Sequence, residues 1–452
     1  MKIRSTLFNF ENILLVFWIG FLLSINSKIS DLYSNNINYL HIIIIFLRIL
    51  TPVLLFSILI FFLKIKKLNL FILSYLIYGL WQLIIYRPDE KYLIDNLERY
   101  HLIISMIGAL LIIHVTEYFK FKNLILKILY CSILFIIIIS LYFTFFIVLE
   151  LINDERVFYL YFNHTLVTEG KHLLQVYPRI TGISRMLGLV LLFIFSLFIC
   201  RKRNISIYNF FFASTIFILS FLIYGMQSKG SYISILLLLF YYIFFFKDQI
   251  RKKVFILFII LVAPIICFES IIKIKISLVK KYNVESRFLS KNSILINDKF
   301  MEDYTTGRIE IWKRAFEKIK EKKIILGYGP QADRFLLESL NFDPNIPRHF
   351  YDANASNGII YSYLCAGIVG LLFISTIYLL IFYEIYKSIF KKKAFIKKNS
   401  YVIFSILTLS FLTLRTVYEN GYTLFGVDFL FAIICYFILR KFNLEKNRRI
   451  IL

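Results

Sequence analysis

The chain has 452 residues, 59% of them apolar and only 18% charged, where a soluble domain carries roughly 45–50% and about 25%. With 49 Phe, 31 Tyr and a mean hydropathy of +0.73, it holds more apolar surface than a soluble fold of this size can bury, which excludes a cytosolic enzyme, a disordered chain and a secreted disulfide scaffold. The net charge of +25 sits between apolar runs and not on a soluble face, so it points to a membrane protein and away from a nucleic-acid partner.

A bilayer core of roughly 30 Å needs about 20 apolar residues per helix. Runs of that kind fall near 12–25, 38–63, 68–86, 100–119, 124–149, 185–200, 207–226, 231–246, 254–272, 356–386, 400–418 and 422–440. The expected fold is therefore an all-α polytopic integral membrane protein with about 12 transmembrane helices. Ser24-Ile25-Asn26-Ser27 after the first span has no A-x-A-like site, so that span reads as a retained anchor. Arg48 lies about 15 Å into the second span at about 1.5 Å per residue. There it would face the bundle interior, unless the span starts later and Arg48 marks its edge before Pro52.

Every second connection is short and basic. Lys64, Lys66 and Lys67 are followed by Lys120, Lys122 and Lys127, then Arg201, Lys202 and Arg203, then Lys247, Arg251, Lys252 and Lys253, then the run from Lys391 to Lys398. The positive-inside rule places these loops and both termini in the cytoplasm. Two connections on the opposite side are long, 150–184 and 273–355, as functional loops often are. The expected organisation is thus spans one to nine over 1–272, a large extracytoplasmic loop over 273–355, and spans ten to twelve with a basic tail over 356–452. Inside the large loop, Ile309, Trp312, Phe316 and Ile319 recur at helical spacing between Thr306, an N-cap type, and Gly327, a stop. That pattern predicts an amphipathic helix which either lies on the membrane face or packs on its own loop.

Chemistry-bearing residues gather on the outer side. Pro178-Arg179-Ile180-Thr181-Gly182 and Arg185 lead into span six, and Gln227-Ser228-Lys229-Gly230-Ser231 turns between spans seven and eight. Arg308 precedes Trp312 and Gly327-Tyr328-Gly329-Pro330. Asp352-Ala353-Asn354-Ala355-Ser356-Asn357 then stands nine residues before Gly367, with Gly370 beyond. Cations at a membrane edge snorkel by default. Four of them on one face (Arg179, Arg185, Lys229, Arg308) suit a diphosphate, whose oxygens Arg binds in pairs. Gly367 and Gly370 would let another helix backbone come close. Arg415 and Glu419, four apart, either pair along a helix or leave Arg415 for substrate. His349 and Asp352 are the titratable groups nearest Ser356 and Asn357, and so are the candidate general bases. The five cysteines form no CxxC pair, which supports neither a metal centre nor a disulfide framework.

Arg308, Trp312, Gly327-Tyr328-Gly329, Ser356-Asn357, Gly367 and Gly370, preceded in order by Arg179-Ile-Thr-Gly182 and Ser228-Lys-Gly230, resemble the O-antigen polymerase and O-antigen ligase superfamily. The resemblance implies glycosyl transfer on the outer face of a bacterial inner membrane, from an oligosaccharide on undecaprenyl diphosphate, without nucleotide sugar, metal or other cofactor. It further implies an acceptor-side base near the start of span ten, a catalytic role that His349 or Asp352 would have to fill. Arg179, Arg185, Lys229, Arg308, Asn354, Ser356, Asn357 and Arg415 would bind the diphosphate and sugar. Expected partners are the lipid-linked oligosaccharide, membrane lipids and a polysaccharide chain-length regulator. Ligases of this group carry His where this chain has Ser356, and a serine hydroxyl is a poor base near neutral pH. The departure favours a polymerase over a ligase. A flippase of the lipid-linked unit also has about twelve spans, but it should carry charges along a central cavity and show repeat symmetry.

Overall fold

Backbone inside a bilayer must satisfy its own hydrogen bonds, and the apolar runs that are described accordingly fold as helices. The computed structural model describes residues 2–24, 68–85, 93–118, 124–153, 180–200, 206–225, 229–245, 249–266, 308–321, 324–336, 355–391 and 399–444. In chain order they form α1 (Lys2–Ser24), α2 (Leu70–Ile85), α3 (Leu93–Tyr118), α4 (Leu124–Asn153), α5 (Ile180–Cys200), α6 (Ser206–Gly225), α7 (Lys229–Phe245) and α8 (Gln249–Ile266). After these come α9 (Arg308–Glu321), the short α10 (Ala332–Leu336), the long α11 (Gly358–Lys391), α12 (Ser400–Arg415) and α13 (Val427–Leu444). No strand occurs among the described residues.

Arg99–Glu117, Leu124–Tyr142, Gly182–Cys200 and Gly358–Phe390 are long and apolar enough to cross a membrane, and shorter apolar stretches include Glu11–Leu23 and Leu70–Ile85. Outward-facing residues agree with a lipid environment. On α2, Leu70, Leu73, Ile77, Leu80 and Ile84 form an exposed stripe at helical spacing, a pattern that a water-soluble surface avoids. The span expected at 38–63, with Arg48 in it, lies outside the described residues. The last expected span, 422–440, is shifted: α13 starts only at Val427, because residues 416–426 form a turn with a short 3-10 segment, Gly421–Thr423.

The chain divides into two compact units. The first comprises Met1–Ser132, Gly307–Ile385 and Leu412–Arg440. Its interior is aromatic: Phe71 stacks on Tyr436 and Tyr78 on Phe373, each pair with centroids 3.9 Å apart, while the Tyr75 hydroxyl donates to the Tyr422 carbonyl at 3.0 Å. Trp18 of α1 donates its indole N–H to Ser132 of α4 at 2.9 Å. These contacts let bulky rings fill the helix interfaces, and the Trp18 indole and the Tyr75 hydroxyl each reach an acceptor there.

The second unit comprises Ile133–Thr306, Tyr386–Phe411 and Lys441–Leu452. Within it α5, α6, α7 and α8 pack on one another. The Tyr242 hydroxyl meets Ser410 at 2.8 Å, and Tyr232 donates to the Leu261 carbonyl. α8 begins at Gln249, earlier than the expected 254, and thereby takes the basic Arg251–Lys253 run into its first turns. Lys253 reaches the last carbonyls of α5, Phe198 at 3.3 Å and Ile199 at 3.1 Å, where an ammonium satisfies groups the helix leaves open.

Candidate functional site

The first unit contains the stretch that carries most of the expected motifs. α9 forms over Arg308–Glu321, as the spacing of Ile309, Trp312, Phe316 and Ile319 predicts. Its Ala315 is fully buried, and Ile311, Trp312 and Ile319 pack with it against Ile360, Tyr361, Leu364 and Cys365 of α11. The Trp312 indole N–H donates to the Ala355 carbonyl at 2.9 Å, so α9 is tied directly to the segment that opens α11.

Residues 325–329 run along α11 where that helix is broken. Tyr328 N–H donates to Leu364 O and Gly329 N–H to Cys365 O, both at 2.9 Å, while Ile368 N–H donates back to Ile325 O at 2.9 Å. Main-chain pairing of this kind is possible only because α11 is not helical at Gly367, where φ is 58° and ψ −135°. The break frees carbonyls that would otherwise be used inside the helix, and the loop satisfies the polar groups that are exposed. A Cβ at Gly367 would collide with the Ile325 carbonyl, and one at Gly327, whose φ is +95°, would lie 2.5 Å from the Cys365 carbonyl oxygen. Each glycine thus lets in backbone from beside the other, Gly327 that of Cys365 and Ala366, and Gly367 that of Ile325 and Leu326. This corrects the expectation that Gly367 and Gly370 admit a second helix: Gly367 admits the Ile325–Leu326 backbone of the loop, and Gly370 lies under the Ser362 carbonyl of its own broken helix.

Asn357 caps α11. Its Oδ1 accepts from Ile359 N–H at 2.9 Å and Ile360 N–H at 3.0 Å, and its Nδ2 donates to Val417 O at 2.7 Å. Three of its four hydrogen-bonding positions are thus committed to backbone, with one N–H left for anything else. The neighbouring Gly358 N–H donates to Thr416 O at 2.7 Å, so this cap also anchors the 416–418 turn. Ser356, directly before it, is half-buried with a positive φ of 46°.

Two buried charges flank this cap. Asp333, in the first turn of α10, is 1% exposed, and its Oδ2 accepts from Ala355 N–H at 3.0 Å and Asn420 Nδ2 at 3.4 Å. Arg415, at the end of α12, is 3% exposed and donates Nη1 to Asp428 of α13 at 2.7 Å. The expected helical pair with Glu419 is therefore replaced by one across the turn. α12 ends at Arg415, and the chain then folds back so that Asp428, in the first turn of α13, faces the guanidinium.

Of the remaining expected residues, Lys229 is the first of α7, Arg308 the first of α9, and Arg185 is half-buried in the second turn of α5. Arg179, His349, Asp352 and Asn354 lie outside the described residues. Sequence reasoning did not single out Asp333 or Trp81, whose indole donates to Leu326 O at 3.0 Å. The available signal was an acidic residue four positions after Gly329, in the polar run that closes the Gly-Tyr-Gly-Pro motif. Among the described residues, no three His, Cys, Asp or Glu side chains gather as a metal site would require.

Residues 214–375 match the protein-family model described as O-antigen ligase. The match begins in α6 and ends within α11, taking in Lys229, Arg308, the Gly327–Gly329 loop, Ser356, Asn357, Gly367 and Gly370 and leaving out Arg179, Arg185 and Arg415. It supports the superfamily of O-antigen ligases and polymerases, membrane enzymes of the glycosyltransferase type, without separating the two. No curated protein and no solved structure matches the chain.

Proposed function

We propose that the chain is a surface-polysaccharide polymerase that transfers a growing glycan from undecaprenyl diphosphate to the next lipid-linked repeat unit. The observation that carries this reading is Ser356. It stands where ligases of the resembled superfamily place a histidine, inside a stretch that otherwise fits the ligase family. In the proposed step the acceptor hydroxyl attacks the anomeric carbon and the bond from that carbon to the diphosphate oxygen breaks. The hydroxyl proton passes to a base, and undecaprenyl diphosphate leaves with the bonding electrons. His349 or Asp352 is the proposed base, since a serine hydroxyl near neutral pH is not one. Arg308 is proposed to stabilise the negative charge that builds on the departing diphosphate, and Arg179, Arg185 and Lys229 are proposed to share that role. Asn354 and Ser356 remain proposed sugar contacts. Asn357 and Arg415 are better explained as the helix cap and the ion-pair partner described above.

A ligase is the second reading, because the family model that matches is described by that activity. A lipopolysaccharide gel of a deletion strain beside its complemented parent separates the two. Core capped with a single repeat unit is expected, because the unit is then exported and ligated but never polymerised. Bare core would overturn the polymerase. It would leave the ligase if lipid-linked polymer accumulates, or a flippase if single units accumulate on the cytoplasmic face. Complementation with R308A is expected to reproduce the single-unit phenotype, and normal polymer would remove Arg308 from the site.

A further inference from the structure

α9 and the loop that follows it present an apolar surface that the packing against α11 does not use. At about 100° per residue, Trp312, Ala315 and Ile319 face the interior, and Ile309 and Phe316 share the adjoining flank. Both are exposed, Phe316 at 54%. Lys313 and Lys320 follow next around the helix and are exposed, and Glu317 and Glu321 come after them, furthest from the core side. From 308 to 323 the chain carries seven basic and three acidic residues. The order core face, apolar flank, lysines, acids is that of a helix lying in a membrane interface, with the ammonium groups at headgroup level.

The loop gives an independent second observation. Ile325 and Leu326 are 57% and 58% exposed, and both are held by backbone contacts to elements with lipid-type outer faces. The Leu326 carbonyl accepts from Trp81, one residue after the exposed Leu80 of α2. The Ile325 carbonyl accepts from Ile368, itself exposed on the apolar span α11. Two large aliphatic side chains thus continue the outward apolar surfaces of α2 and α11, beside an indole of the kind that marks membrane interfaces.

We infer that the α9 flank (Ile309, Phe316, Lys313, Lys320) and the Ile325–Leu326 tip form an interfacial docking surface for the anionic lipid of the bilayer the protein spans. The tip enters the acyl region and the two lysines bind headgroup phosphates. α9 is then held between its core face and the lipid, which fixes the height of the Gly327–Gly329 loop and the Asn357 cap against the membrane. The inference does not rest on the glycosyl-transfer reading.

The test uses the full-length protein in nanodiscs of phosphatidylcholine with phosphatidylglycerol, with a cysteine and an environment-sensitive fluorophore at position 316, 326 or 317 (F316C, L326C or E317C). The unsubstituted parent is the control for labelling of native cysteines. Labels at 316 and 326 are expected to lose most of their emission to a headgroup-proximal nitroxide lipid and to resist aqueous iodide, while the label at 317 does the reverse. Iodide quenching at 316 and 326 without lipid quenching would overturn the docking. Replacing phosphatidylglycerol by phosphatidylcholine is expected to weaken lipid quenching at 316, and so is the K313E/K320E pair. Equal quenching in both lipids would overturn the assignment to anionic lipid. Circular dichroism of each labelled variant matching the parent keeps misfolding from standing in for a result.

Discussion

Arg415 shows how a charged residue near a span end admits two readings, a ligand for substrate or a partner in a buried ion pair. It carries the only basic side chain of α12, and a cation there suits an anionic substrate as well as a neighbouring carboxylate. The structure gives it Asp428 at 2.7 Å with both side chains almost fully buried. Removing one member of such a pair strands the other in a medium where a lone charge costs about 3–5 kcal/mol, whereas an apolar replacement of both is often near neutral. R415M is therefore expected to lower the thermal midpoint of the detergent-solubilised protein sharply, and R415M/D428L to recover most of the loss. An R415M protein as stable as the parent, yet inactive, would return Arg415 to the substrate. Lys253 carries the same lesson on a smaller scale. It belongs to a basic cluster that reads only as an orientation signal, yet its ammonium also closes the end of α5.

At the scale of elements, the decisive feature is the break in α11. A helix of 34 residues reads from its sequence as one uninterrupted span, and Gly367 and Gly370 read as a small-residue packing motif. In the fold, Gly367 opens the helix so that residues 325–329 pair with it, and Trp312 of α9 donates to the Ala355 carbonyl just before the same helix. G367A adds a Cβ directly against the Ile325 carbonyl at a positive φ, which alone costs a non-glycine residue about 1–2 kcal/mol. The variant is expected to lose thermal stability and to expose the loop to proteolysis. G426A, where nothing lies within 4 Å of the added carbon, should stay within about 0.5 kcal/mol of the parent. Comparable unfolding midpoints for the two would mean that the loop does not depend on the break. α9 illustrates the opposite case: the helix forms where the 3.6-residue spacing places it, and the structure adds only that Trp312 turns inward and Phe316 outward.

For the whole molecule, alternation of basic and long polar connections predicts the orientation, because lysine and arginine are retained on the cytoplasmic side. Alkaline phosphatase fused after Asn345 is expected to be active and a fusion after Phe395 inactive, and the reverse pattern would invert the topology. The amino-acid sequence by itself determined the membrane class, the approximate helices and the superfamily resemblance, since these depend on hydropathy, periodicity and the order of short motifs along one strand of chain. It could not decide which polar residue serves structure and which serves chemistry. Asn357 as a cap, Arg415 as a partner of Asp428, the bonds of Asp333 to Ala355 and Asn420, and the seating of Ile325 against Gly367 join residues between 2 and 87 positions apart. Only the tertiary structure decided those roles, because a side chain inside a membrane protein takes its function from the groups that desolvate it and complete its hydrogen bonds, and most of those groups are distant in sequence.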